Sequence, residues 1–388
     1  MIPLSYNVRN LAVRKATTIA SASGIALVVF VLAAALMLSE GLARTMQTSG
    51  TADTAIVLRK GNDAELSSSI EDPTVGIIRS APGVKAKSDG TPMAVGETLV
   101  VAFMETSDGK GKTNVQIRGV PADVMDFRTN VKLDEGRPAQ PGTDEVIAGR
   151  AISGRFKGLK LGDSFELRKN RPVKVVGVFS AGGSAFESEV WGDVDVVREA
   201  FGRRGVVSSV RVRLDSPSRF EGFQAAIEGD KRLGLVAIPE PEFYERQSEG
   251  TTMFITVMGV LIAVFFSIGA MIGATITMYA AVANRRREVG VLRALGFTRT
   301  NIVLSFLFES LLIALIGGAM GVVAALAMGL VKFSMMNFST WSEIVFQFTP
   351  TPRILAIALG FGGVMGVLGG FFPALRAASV SAVDAMRD

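Results

Sequence analysis

Two short stretches carry the residue types of phosphate or acyl chemistry, and each lacks an essential member. Residues 106–113 read TSDGKGKT and end like the loop GxxxxGK[ST], whose backbone N–H groups and Lys cradle nucleotide phosphates, but Thr106 occupies the first required Gly. Residues 182–186, GGSAF, look like the GxSxG turn that presents a nucleophilic Ser, yet Phe186 replaces the closing Gly. The 388 residues include no His and no Cys. That removes Cys/His zinc sites, Ser-His-Asp and Cys-His nucleophiles, imidazole bases and disulfides. The first stretch therefore reads as a solvated hairpin loop and the second as a plain loop. No catalytic, cofactor-binding or metal residues are expected, and the chain by itself should not hydrolyse ATP.

The elements around these stretches point elsewhere. Four charge-free apolar runs cover 16–39, 250–284, 310–331 and 354–375. Each has about 22 residues or more, so at ~1.5 Å rise each makes ~33 Å of helix, enough to cross a ~30 Å hydrocarbon core. The first run is longer than the apolar region of a cleaved signal peptide, and Ala33-Ala34-Ala35 lies inside it rather than after it, so it reads as a retained signal-anchor. The fold class expected is a membrane protein with four transmembrane α-helices and a large mixed α/β extracytoplasmic domain between the first and second. The segments are a cytoplasmic stub (1–16), spans at 17–39, 251–283, 302–332 and 353–375, the outer domain (40–250), a cytoplasmic link (284–301), a short periplasmic loop (333–352) and a cytoplasmic tail (376–388).

Orientation follows from Lys and Arg, which favour short cytoplasmic segments. The stub carries Arg9, Arg14 and Lys15 with no acid; the link carries Arg285, Arg286, Arg287, Arg293 and Arg299 against Glu288 alone. Both termini and the link are therefore placed in the cytoplasm, and the insert outside. The basic pI of 9.5 has the same origin, because acids and bases nearly balance within the insert. Nucleic-acid binding is not expected.

Within 40–250, strands are expected at 55–59, 98–104, 114–118, 164–168, 173–179 and 208–214, and helices at 73–80, 194–201 and 217–228. Ser216 is the expected N-cap of the last of these helices, with Pro217 at its first position. About 210 residues can bury a core without disulfides, as two subdomains. Residues 239–250 should be helical and run into the second span as a stiff stalk.

The strongest local signal is 284–302, NRRREVGVLRALGFTRTNI. Val289, Leu292 and Leu295 repeat every three residues along one side of a short helix, basic residues surround them, and Gly296 would end it. Such a helix either lies on anionic lipid or docks a cytoplasmic partner. Glu309 is the only acid within the third span. An intramembrane acid either pairs with a nearby Arg or serves gating or proton movement. The GxxxG pairs Gly269/Gly273, Gly317/Gly321, Gly362/Gly366 and Gly366/Gly370 suit close helix contact, within one bundle or between copies.

The run RRREVGVLRALG, between a second and third span, resembles the coupling segment of the MacB/FtsX-type ABC transporter permeases. The matching positions are Arg286, Arg287, Glu288, Gly290, Leu292, Arg293, Ala294, Leu295 and Gly296, with Val289 inside the run. The tail FFPALRAASVSAVDAMR resembles the family's C-terminus, departing at Ser381, where Pro is usual, and at Asp384, where Glu is usual. In the insert, IRGVPADVMDF, LDEGR, EVIAG, LKLGD and VKVVGVF follow in the order of the MacB-type periplasmic core. The run FESEVWGD is similar to the DevC-like subset whose permease is a separate chain.

The resemblance implies a non-catalytic permease subunit of the bacterial inner membrane, paired with a second copy or paralogue. A cytoplasmic ABC ATPase, holding ATP and Mg in its own chain, would dock on the coupling segment. Because the sequence opens directly with the first span, that ATPase is expected to be a separate subunit. Its hydrolysis would be converted into work outside the membrane, exporting or extracting a lipid, lipopeptide, peptide or similar amphipathic cargo. A periplasmic adaptor and an outer-membrane channel would assist. The alternative is an FtsX-like signalling permease controlling a cell-wall hydrolase; an anchored outer enzyme is disfavoured for want of catalytic groups.

Overall fold

A computed structural model of the chain describes residues 9, 11, 13, 15–109, 111–337 and 340–380. Most of the stub and the tail beyond 380, including Ser381 and Asp384, lie outside these described residues. Among the described residues, four helices are long and apolar enough to cross a membrane: Lys15–Gln47, Glu240–Asn284, Arg299–Met328 and Pro352–Ala378. Their starts follow local chemistry. The hydroxyls of Thr298 and Thr351 accept N–H groups of Asn301 and Ile354, and Pro352 stands in the first turn, where its missing donor leaves no bond unmade. The second helix begins at Glu240, well before the apolar run. Glu240 and Glu242 occupy its first turn, where carboxylates suit the partial positive charge of a helix N-terminus.

The chain divides into two units. The first takes 1–40, 253–331 and 347–388; the second takes 41–252 and 332–346. In the first, glycines let helices approach to backbone contact. A Cβ at Gly317 would strike the Ala22 carbonyl, one at Gly321 would lie 2.5 Å from the Ala26 carbonyl, and one at Gly362 would lie 2.8 Å from a Val29 methyl. A Cβ on Gly366 would strike the Ala314 methyl. Gly269 and Gly273 are different: nothing lies within 4 Å of the space a Cβ would fill at either. Their helix is also the least covered of the four.

The second unit holds a ten-stranded sheet. Its path runs Leu235–Pro239, Thr54–Arg59, Ser209–Arg213, Ala94–Glu105, Lys112–Val120, Glu189–Asp193, Glu145–Gly149, Arg171–Ser180 and Lys132–Gly136, with Ser164–Arg168 paired to Arg171–Ser180. Two apolar cores form against it. One gathers Val57, Ile78, Val210, Val212 and Phe223; the other gathers Val100, Ile117, Phe156, Val175 and Val190. A single sheet joins both.

Several expectations need correction. The link between the third and fourth spans is not merely a loop: Lys332–Asn337 and Ser342–Gln347 pair as a hairpin. Residues 332–346 of it belong to the second unit, where they lie over strand Lys112–Val120. There the Asn114 amide donates to the Trp341 carbonyl at 2.7 Å, and Gln116 donates to Ser342 at 2.7 Å. Ser216 makes no capping bond. Its hydroxyl meets Ser218 at 2.8 Å, and a 3-10 turn, Pro217–Arg219, precedes the helix Phe220–Gly229. Strands Lys132–Gly136, Glu145–Gly149, Glu189–Asp193 and Leu235–Pro239 were not expected.

Candidate functional site

The link between the second and third spans is built from a break and a stop. The second spanning helix ends at Asn284, the helix Arg286–Ala294 follows, and Arg285 between them has non-helical dihedrals of φ −114° and ψ 17°. Gly296 closes the link helix with φ +91°, a conformation that suits a residue lacking a Cβ. The side chains do not form one outward stripe. Val289 is buried in the apolar core of its own unit, and Leu292 packs against that core. Gly290 is buried beside them. Of the three stripe residues only Leu295 is exposed, at 72%. A spacing of three shows a helix face but not which partner covers it, and here the chain's own bundle takes that face. The outward apolar residues are Val291 and Leu295, four apart, with Arg286, Arg287, Glu288 and Ala294 also exposed. Arg293 is half-buried.

Glu309 pairs within the same unit. Arg285 donates to it at 2.8 Å, both side chains are nearly inaccessible, and the Arg285 guanidinium lies 5.2 Å from the centroid of the Phe306 ring.

A second constellation, with no counterpart in the expectations above, lies on the inner face of the outer sheet. On strand Ala94–Glu105, Val100, Ala102 and Met104 enter an apolar core, so Glu97 faces the opposite side. Across four neighbouring strands the inward residues are Arg211, Glu97, Arg118 and Glu189, alternating in sign. Arg211 donates to Glu97 at 2.6 Å, Arg118 to Glu97 at 2.9 Å, and Arg118 grips Glu189 with two bonds of 2.6 and 2.7 Å. Glu65 from a loop and Glu240 from the first turn of the second spanning helix complete the ladder. Arg211 reaches them at 2.9 and 2.8 Å. Arg128 binds Glu97 at 3.0 Å and stacks on Phe186, 4.1 Å from the ring centroid. Tyr244, one turn after Glu240, accepts from Arg211 at 3.0 Å. Every member is buried.

The electrostatics follow from this crowding. Burial works against the charged form of Glu65, but Arg118 and Arg211 outweigh it and hold the carboxyl well below its usual range. Burial likewise opposes Glu97, and Arg128, Arg211 and Arg118 prevail to keep it low. Burial pushes the Tyr244 phenol up, so it stays a neutral hydroxyl. Glu65 and Glu97 are thus held in the charged form by the Arg side chains around them, and the ladder ties together strands, loop and helix start.

The two decoys resolve structurally. Residues 106–111 join two paired strands and Lys112 and Thr113 already belong to the second, so the chain enters a strand where a phosphate loop would open a helix; Lys110 lies outside the described residues. Phe186 of the GGSAF turn is fully buried and forms the aromatic floor under Arg128, with Trp191 beside it.

Comparison with known proteins decides the family. Residues 18–230 match the model of the MacB-like periplasmic core domain, more than half of the chain, and residues 260–382 match the FtsX-like permease C-terminal model. The chain belongs to the MacB/FtsX-type ABC transporter permeases. Similar proteins include the macrolide export ATP-binding/permease proteins MacB of Escherichia coli O157:H7 and strain K12, each 28% identical over 230 residues. These matches cover 56% of this MacB-like chain but 34% of each relative, so the chain spans about a third of their length. Among solved structures, the periplasmic region of MacB from Actinobacillus actinomycetemcomitans is similar at 12% identity and a TM-score of 0.37, covering 50% of this chain and 92% of that one. The extracellular domain of the noncanonic ABC-type transporter YknZ from Gram-positive bacteria gives 17% and 0.36, with 48% and 99% covered. At such scores the family assignment rests on the two domain matches. The family, the four apolar helices and the mixed α/β domain between the first and second make this a multi-pass membrane permease.

Proposed function

We propose that this permease converts ATP hydrolysis by a cytoplasmic ABC ATPase, which carries the ATP and Mg, into movement of its outer domain. The work would export or extract a lipid, lipopeptide, peptide or similar amphipathic cargo. The observation that carries this reading is the unbroken helix Glu240–Asn284. Its first turn is locked into the buried charge ladder, and Asn284 adjoins Arg285 and the link helix. No glycine-rich joint interrupts it to absorb motion. The chain would sit in the inner membrane with both termini and the link in the cytoplasm. It would work as a dimer with a second copy or paralogue, served by a periplasmic adaptor and an outer-membrane channel. The open Gly269/Gly273 face is the surface we assign to that second copy.

The ATPase would dock on the outward face of the link, on Val291 and Leu295 flanked by Arg286, Arg287 and Glu288. Leu292 would support that face from behind. Val291→Asp and Leu295→Asp should each release the ATPase from the tagged permease while the chain still inserts and folds. Leu292→Asp should instead destabilise the permease itself, because burying a Leu contributes ~1.5–3 kcal/mol. Full ATPase recovery and full stimulated hydrolysis with the Val291→Asp, Leu295→Asp double variant would refute the docking face. Retention of the ATPase with release from anionic vesicles would favour the lipid-surface reading.

A further inference from the structure

We infer that Glu309 is a positioning residue: through Arg285 it holds the link helix to the third spanning helix, so that movement of the link enters the third span as well as the second. The inference rests on the docking role proposed above for the link. Arg285 stands at the one residue where helical backbone breaks between Asn284 and Arg286. Its side chain bridges what the break separates. Nε donates to Glu288 in the first turn of the link helix at 3.1 Å, and Nη1 donates to Glu309 of the third spanning helix at 2.8 Å. The Phe306 ring, one turn before Glu309, lies beneath the guanidinium. One side chain therefore joins the end of the second span, the link and the third span.

A neutral apolar pair would fill this space at lower desolvation cost, since a buried ion pair is often no more stable than well-packed hydrophobic residues. What the ion pair adds is direction. A guanidinium with two carboxylates at fixed angles holds one register of the link helix, whereas apolar contacts tolerate sliding. Val289 lies in the apolar core of the same unit and Leu292 packs against that core, so the link is seated on the bundle rather than tethered to it.

The absence of native Cys allows a direct measurement. Spin labels at Leu295→Cys on the link and Leu304→Cys on the exposed side of the third span report their separation in nanodiscs, with no ATPase present. The wild-type pair should give one narrow distance distribution. Glu309→Gln, which keeps the volume and removes the charge, should broaden it, whereas Glu309→Asp, which keeps the charge, should broaden it less. An unchanged distribution in Glu309→Gln overturns the inference. In the second arm, unlabelled Glu309→Gln permease should still co-purify with the ATPase recovered from native membranes. Stimulated hydrolysis should fall by about fivefold or more, a coupling loss at constant binding. Wild-type hydrolysis alongside a broadened distribution would reduce the pair to a structural role and overturn the inference. Failure of the docking face itself would show separately, as ATPase retention by Leu295→Asp, and leaves the distance measurement standing.

Discussion

Replacing Arg211 by Met should unfold the outer unit at a markedly lower temperature. Arg211 is fully buried and contacts Glu65, Glu97, Glu240, Ser209 and Tyr244. Its removal leaves Glu65 and Glu97 with fewer counter-charges and Glu240 with Arg128 at 3.5 Å as its remaining ion-pair partner. Breaking a buried ionic network by deleting one partner costs ~3–5 kcal/mol. In a unit of about 150–250 residues each kcal/mol shifts the midpoint by ~2–4 °C, so the expected drop is ~6–20 °C. Trp191 reports it in a Trp341→Phe background: the indole is inaccessible and donates to Glu189 in the ladder at 2.8 Å, so its fluorescence changes when the ladder opens. The measurement is a thermal melt of the full chain in nanodiscs. Arg211→Lys should recover little, because a single ammonium cannot reproduce bonds from three guanidinium nitrogens. Arg232→Met, at an exposed pair with Asp230, should leave the midpoint where it is. A melt of Arg211→Met coinciding with wild type would refute the view that the ladder holds the outer unit together.

Three further outcomes follow from the same geometry. Glu65 and Glu97 are held below the usual carboxylate range, so the unfolded chain takes up protons before the folded one; their contribution is complete above the unfolded value of ~4.3 and is lost as pH falls through the folded values. Trp191 melts should therefore be flat from about pH 6 to 8 and decline below about 4, and a loss beginning above 6 would contradict the assignment. Gly321→Leu should disrupt the bundle, since its Cβ meets first-helix backbone, whereas Gly269→Ala should leave the monomer's melt unchanged; equal effects would contradict the packing described. A Cys at exposed Asp108 should react with an impermeant maleimide from the periplasmic side of intact cells, and labelling only after the cytoplasm is opened would reverse the proposed topology.

Much of this architecture was legible because bulk properties carry it. Four spans announce themselves by apolar length, and strands such as Ser164–Arg168 by strict alternation. The remainder depends on what covers each face. Alternation in SVRVR sends Arg211 toward solvent in any single-layer reading; it is buried because Glu65, Glu240 and Tyr244 arrive from elsewhere in the chain. Strand Glu189–Asp193 reads EVWGD, too polar to register as a strand, yet it sits mid-sheet with Trp191 fully enclosed. The Val289, Leu292 and Leu295 repeat located the link helix correctly, but which residues face outward was decided by the bundle beneath.

The hairpin over strand Lys112–Val120 sets a timetable for biogenesis. Asn114 and Gln116 wait for partners 227 and 226 residues later in the chain. Residues 41–252 are synthesised first, and about 80 more residues must follow before 332–346 is made, an interval of ~4–16 s at ~5–20 residues per second. All ten strands of the sheet lie within residues 41–252, so during that interval every strand has been made but the hairpin has not. In the proposed topology the hairpin reaches the outer unit only once the third span has crossed, so a chain halted after the second span would leave Asn114 and Gln116 without these partners.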